Sequence, residues 1–198
     1  MKSLKLILLL FCALSFFTYS KVMATEEAKY EIISKNNIYE VRKYLDRLAV
    51  ETITTDQSNS FRKLFNYISG GNQKEQKIEM TTPVTRIEKN GTMTMQFYLP
   101  KAFDKNNAPV PARQDLKIVT IKGGYYAVLR YSGRASDSNF IKHKDILKKE
   151  LLRDNISIIS SPIRATYDSP FTLPMNRRNE AMFKVCLLYT SPSPRDSG

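Results

Sequence analysis

Imidazoles and thiols, the groups that most often ligate metals or attack substrates, are scarce in this chain. It holds one histidine, His143, and two cysteines, Cys12 and Cys186, among 198 residues. No Ser/His/Asp set, zinc-ligand spacing or phosphate-cradling glycine loop can be assembled from them. The pairs Gly70-Gly71 and Gly123-Gly124 lack the strand–loop–helix setting of a nucleotide site and read as turns. His143 falls on an apolar helical stripe between Phe140 and Leu147. That position suits first a histidine half-buried between helix and sheet, and only second a neutral imidazole ligating haem iron.

The acidic side chains are dispersed. Glu79, Asp168 and Glu180 lie near strand ends; paired carboxylates could perform acid/base hydrolysis, but no spacing here makes two converge. Arg177 and Arg178, just before Glu180, predict a salt bridge for it instead. Aromatic and cationic residues interleave at "FRKLFNY" (61–67) and "YDSPFTLPMNRRNE" (167–180). Such a mixture can stack bases and neutralise phosphates. Phe61 and Phe65, however, sit on an apolar stripe and are expected in the core, so no nucleic-acid partner is expected. A flat amphiphile bearing two carboxylates, such as a tetrapyrrole, would use the same residue types.

The elements that must position these residues come from an apparent repeat. "YEVRKY" (39–44) matches "YAVLRY" (126–131), both with strand alternation. A helix pattern follows each. Phe61, Leu64, Phe65 and Ile68 form the first apolar stripe, closed by Gly70-Gly71. Phe140, Leu147 and Leu151 form the second, with Asp137 or Ser138 as N-cap. "MTTPV" (80–84) then parallels "ISSPI" (159–163), and a last strand ends each unit, "TMTMQFYLP" and "NEAMFKV". Phe61 to Phe140 and Pro83 to Pro162 share one offset of 79 residues. The unit reads β-α-β-β, twice, and two such halves would join into one curved or closed sheet with the helices outside. The Pro- and Asn-rich stretch 100–115 reads as a loop between halves of a single domain.

The ends of the chain differ from its middle. A basic start (Lys2, Lys5), the apolar run "LKLILLLFCALSFF" and "VMA" before Thr25 predict a secretory signal peptide over 1–24, and hence an exported, periplasmic or secreted product without a lasting membrane anchor. Residues 186–198 open with "CLLYTSPSPRD", the translation of a common transposase sequencing adapter, and are expected to be a non-native tail on a domain spanning 25–185. The chain carries a net charge of +12, which draws it weakly toward anionic surfaces and ligands.

The blocks "KYEIISKNNIYEVRKY", "FRKLFNYISGGN", "KIEMTTPV", "FYLP", "LRYSGRAS" and "YDSPFTLPMNRRNE", in that order, resemble the SOUL/haem-binding protein family over nearly all of 29–185. The resemblance implies an α+β fold, a distorted antiparallel β-barrel of two β-α-β-β repeats with two outer helices, similar to bacterial effector-binding domains. It also implies non-covalent binding of haem or another tetrapyrrole by a non-enzymatic protein that buffers or carries haem outside the cytoplasm. Carried over by position, the ligand would meet Arg62, Lys63, Asn66 and Tyr67 on the first helix, and Phe171, Thr172, Leu173 and Met175 in the late loop. Thr172 and Tyr67 stand where relatives carry lysines, and the histidine some relatives offer to iron has no counterpart in the first strand region. His143, Tyr67 or a methionine would have to replace it. The alternatives are a module for another small amphiphilic effector, held between the repeats, and a hydrolase using Glu79 or Glu180.

Overall fold

Alternation of side chains to opposite faces builds most of the regular structure of this chain into strands. The computed structural model describes residues 25–55 and 59–187. The expected signal peptide and most of the expected tail lie outside them. The elements in order are β1 (Glu26–Glu27), β2 (Tyr30–Lys35), β3 (Glu40–Tyr44), β4 (Arg47–Thr54), α1 (Ser60–Ile68), β5 (Thr81–Thr82), β6 (Val84–Lys89), β7 (Thr92–Tyr98), β8 (Lys117–Ile121) and β9 (Gly124–Tyr131). There follow α2 (Asp137–Arg153), β10 (Ser157–Ile158), β11 (Ile163–Thr166), a short 3-10 turn (Pro174–Asn176) and β12 (Asn179–Cys186). The last strand thus runs one residue beyond 185, and Leu187 packs against the core after it.

One ten-stranded antiparallel sheet runs β2-β3-β9-β12-β11-β6-β7-β4-β8, with β10 also pairing with β12. It curls into a half-barrel, which with two helices makes the expected α+β fold. Alternate residues of each strand serve different cores. On β9 and β12, Ala127, Leu129, Ala181 and Phe183 pack beneath Leu147 and Leu151 of α2. Their neighbours Tyr126, Val128 and Met182 form a cluster with Ala165 on the concave side. On the other half, Val50 and Phe97 pack beneath Leu64, Tyr67 and Ile68 of α1.

From β3 onward the sheet reads the same from both ends when the halves are exchanged. A shift of 79 residues carries the register β3–β9 (Arg42 opposite Tyr126) onto β4–β8 (Arg47 opposite Ile121), and the central pairing of β6 with β11 maps onto itself. Each half therefore runs β-β-α-β-β-β, which contains the expected β-α-β-β unit (β4-α1-β6-β7 and β9-α2-β11-β12) and adds one strand before it and a short one after the helix. The strand feeding α1 is β4, so the match of "YEVRKY" to "YAVLRY" lies one strand too early. β4 escaped notice because Arg47 and Glu51 occupy its inward positions and blur the hydrophobic alternation.

Two local expectations also change. Leu64 and Ile68 are buried, but Phe61 and Phe65 are half-exposed, because the helix turns Ser60 and Tyr67 to the sheet instead. Ser136, rather than Asp137 or Ser138, caps α2, its Oγ accepting the Asn139 N–H at 3.3 Å; the Asp137 carboxylate is held by Arg164 at 2.7 Å. The 100–115 stretch is a loop as expected, and it is packed, with Phe103 and Ala108 against the α1 core and Pro109 O accepting the Tyr67 hydroxyl at 2.8 Å. The glycine stop of α1 is as expected: Gly70 (φ +112°) and Gly71 return their N–H groups to Tyr67 O and Asn66 O.

Candidate ligand-binding site

The outer face of α1 carries most of the residues expected to meet a ligand. Phe61 and Phe65, one turn apart, stack with centroids 6.1 Å apart at 12°, and Phe61 also meets the edge of buried Phe97. The two rings are 49% and 50% exposed. Arg62 and Asn66 are exposed beside them, and Arg62 donates to Asn59 Oδ1 at 2.7 Å. Lys63 is committed to Asp115 at 2.9 Å. The Asp115 carboxyl lies well below its usual range, first through its bonds from Arg113 and then from Lys63. Tyr67 does not belong to this face. It is fully buried, and burial pushes its hydroxyl up to about 12.

The late loop presents Phe171, Leu173 and Met175 to solvent, Phe171 almost completely (94%). Thr172 is half-buried and its carbonyl accepts Arg177 Nε at 2.7 Å. The anchor of this loop is Gly133, whose N–H donates to Pro174 O at 2.8 Å, at the end of β9 and before α2. Among the described residues no hydrogen bond, ion pair or ring contact joins the loop to α1. His143 lies on α2, stacked on Tyr131 (4.1 Å, 7°), with Nδ1 bonded to Asn139 O at 2.7 Å. Since α1 packs on β4 and β7 while α2 packs on β9 and β12, His143 and the α1 residues are not brought together. Among the described residues no group of three or more His, Cys, Asp or Glu side chains could hold a metal ion, and no helix is long and apolar enough to cross a membrane.

Glu79 and Glu180 have opposite surroundings. Glu79 is exposed ahead of β5. Glu180 is fully enclosed: it accepts Arg42 Nη1 at 3.0 and 3.1 Å, Arg178 Nε and Nη2 at 3.0 and 2.9 Å, and the Tyr167 hydroxyl at 2.7 Å. Burial works against the Arg42 and Arg178 charges, but Glu180 holds both guanidiniums above their ordinary pKa; burial and the same carboxylate push Tyr167 up. The expected partner Arg178 is present, whereas Arg177 turns to the carbonyls of Thr172 and Pro170. A carboxylate so saturated organises a core and is not poised to take a proton from a substrate.

The concave side of the sheet holds a cleft of about 310 Å³ that motif reasoning overlooked. Tyr44, Tyr98, Tyr126 and Tyr167 supply its aromatic walls, and Ile163 and Met182 its apolar floor. Arg47, the first residue of β4, points into it with its guanidinium 4.1 Å over the Tyr98 ring. Lys184 lies over Tyr126, and Lys122 at the rim pairs with Asp46 at 2.8 Å. The sequence signal was the period-two face Arg47, Ala49, Glu51, but it could be read only once β4 was known to be a strand.

Comparison with known proteins agrees with this architecture. The family model described as SOUL heme-binding protein matches residues 25–184. Heme-binding protein 2 of Mus musculus is 29% identical over 175 residues, covering 80% of this chain and 83% of that protein. Heme-binding protein 2 of Homo sapiens is 29% identical over 157 residues, covering 72% and 75%. Two solved structures share the fold at low identity. The EcmrR C-terminal domain has a TM-score of 0.57 at 13% identity, covering 79% of this chain and 98% of that one. A hydrolase from Listeria innocua has a TM-score of 0.54 at 9% identity, covering 78% and 94%. With the family model spanning both helices and all but the last two residues of the curled sheet, this chain belongs to the SOUL heme-binding protein family.

Proposed function

We propose that the protein binds haem or another tetrapyrrole non-covalently on the outer face of α1, and carries or buffers it in an exported setting. One observation carries the choice of site: the stacked, half-exposed pair Phe61 and Phe65 on a helix whose other face is fully buried. The two stacked rings, Phe61 packed against Phe97, offer half-exposed apolar aromatic surface, and covering such surface is favourable by about 25 cal/mol per Å². Arg62, which pairs with no carboxylate among the described residues, is the cation suited to a propionate, since Lys63 already serves Asp115. The residues present therefore fit the macrocycle and its carboxylates. They do not include an iron ligand: Tyr67 is buried, and His143 belongs to the other helix. Bound haem would bring a redox-active iron, while the chain supplies apolar cover and charge. Family membership and the names of the mouse and human relatives support the ligand class. The basic balance and the leader-like residues 1–24 support the exported setting.

The test is a haem titration followed in the Soret band. One equivalent should bind saturably, Phe65→Ser should weaken binding about ten-fold (about 1.4 kcal/mol), and His143→Ala should leave it unchanged. Unchanged binding in Phe65→Ser would move the site elsewhere. No saturable Soret change would remove haem from the reading.

A further inference from the structure

We infer that the concave cleft is a second binding site, taking a small, flat, apolar monocarboxylate with Arg47 as its counter-charge. This does not depend on the α1 reading, because the cleft lies on the opposite side of the sheet.

Arg47 is the anomaly. The other well-buried arginines each meet a carboxylate: Arg42 meets Glu180 at 3.0 Å, Arg164 meets Asp137 at 2.7 Å, and Arg178 meets Glu27 at 2.9 Å. Among the described residues Arg47 meets only the Tyr98 ring, and its Nη2 is buried with no hydrogen-bond partner there. Burial lowers its pKa, with the Tyr98 and Glu26 fields opposing that loss. A desolvated guanidinium without a carboxylate is costly to keep in a folded protein, and its fork geometry matches a carboxylate.

Among the described residues no carboxylate pairs with it: Glu26 is near enough for its charge to be felt but accepts the Lys101 N–H at 3.1 Å. Asp46 is committed to Lys122 and to the Gly123 N–H at 2.9 Å, and Glu180 to its two arginines and Tyr167. Lys184 adds a second cation whose Nζ meets only Lys122 O, at 3.2 Å, besides the Tyr126 face. Four tyrosine walls select a flat body, and the two cations select an anionic end. The space of about 310 Å³ lies at the lower limit of small-molecule pockets, about 300–1,000 Å³. That suits a bicyclic or smaller acid rather than a macrocycle with two carboxylates.

The experiment compares 2-naphthoate, neutral 2-naphthamide and cationic 2-naphthylmethylammonium by calorimetry on the full chain, with a thermal melt of every variant. Naphthoate should bind at least ten-fold more tightly than the amide, and the cation should bind worst. Arg47→Met should abolish the preference for naphthoate while leaving naphthamide affinity within two-fold, and should raise Tm because an unpaired buried charge is gone. Lys184→Met should reduce the preference without removing it, which keeps the test intact should Arg47→Met fail to fold. Equal binding of acid and amide by the unmodified protein, tighter binding of the cation, or a preference retained in Arg47→Met would each overturn the inference.

Discussion

Replacing Glu180 by Gln removes one charge from the most enclosed polar cluster in the protein without changing its shape. The carboxylate accepts five hydrogen bonds from Arg42, Arg178 and Tyr167 and is fully buried, while the Arg42 side chain is 4% exposed. Breaking a buried ion pair from one side costs about 3–5 kcal/mol, because the remaining charge stays desolvated. Here the two guanidiniums keep second partners, Glu40 at 2.8 Å from Arg42 and Glu27 at 2.9 Å from Arg178. That places the loss at the lower end, about 3 kcal/mol. With a urea slope of about 2 kcal/mol/M, the midpoint should fall by about 1.5 M with an unchanged slope. Tyr167→Phe removes one bond to the same carboxylate and should cost about 1–2 kcal/mol. A loss below about 1 kcal/mol for Glu180→Gln would show that the cluster is solvated and that the carboxylate is not its organising charge.

Other outcomes follow from particular contacts. Gly123→Ala would put a Cβ 2.4 Å from Tyr44 O and 2.7 Å from Leu45 C; backbone cannot retreat, so a loss above about 2 kcal/mol is expected in a chemical melt. Burial pushes Tyr67, Tyr126 and Tyr131 up to about 12. Their contribution is complete below the unfolded value near 10 and is lost as pH rises through about 12, so stability should fall across that window and tyrosinate absorbance should appear together with unfolding. Asp115 titrates below its usual value, so the stability it confers is present above about pH 4 and lost on further acidification. Asp115→Asn should flatten the acid limb of a pH–stability curve by less than about 1 kcal/mol, since the pairs with Arg113 and Lys63 are partly exposed.

Several features were legible in the sequence because they are local. The glycine stop of α1 and the stripe of Leu147 and Leu151 follow from spacing alone. β4 and β8 were not: the inward residues of β4 include Arg47 and Glu51, and β4 gains its place through pairing with β7 and β8, while β8 gains its own through β4 alone. The orientation of α1 lay between two neighbouring stripes, 61-64-65-68 and 60-64-67-68. Tertiary packing chose the second by giving the Tyr67 hydroxyl a carbonyl on a loop 42 residues away. The isolation of Arg47 was not legible for the same reason: it exists only once β4, β7 and β8 curl around Tyr98.

The strand order has a consequence for how the chain can come apart. β3 belongs to the first half but pairs with β9 of the second, and β8 belongs to the second but pairs with β4 of the first. The two exchange points touch, where Gly123 passes against Tyr44 and Leu45 and Asp46 takes the Gly123 N–H. Neither half is a unit that can be excised. A single cut in the 100–115 loop would leave two fragments interlocked by both exchanged strands, able to reassemble from denaturant only as a pair. Two intact chains opened in that same loop could trade halves and build the identical sheet twice, so the route to a dimer is already written in the pairing of the monomer.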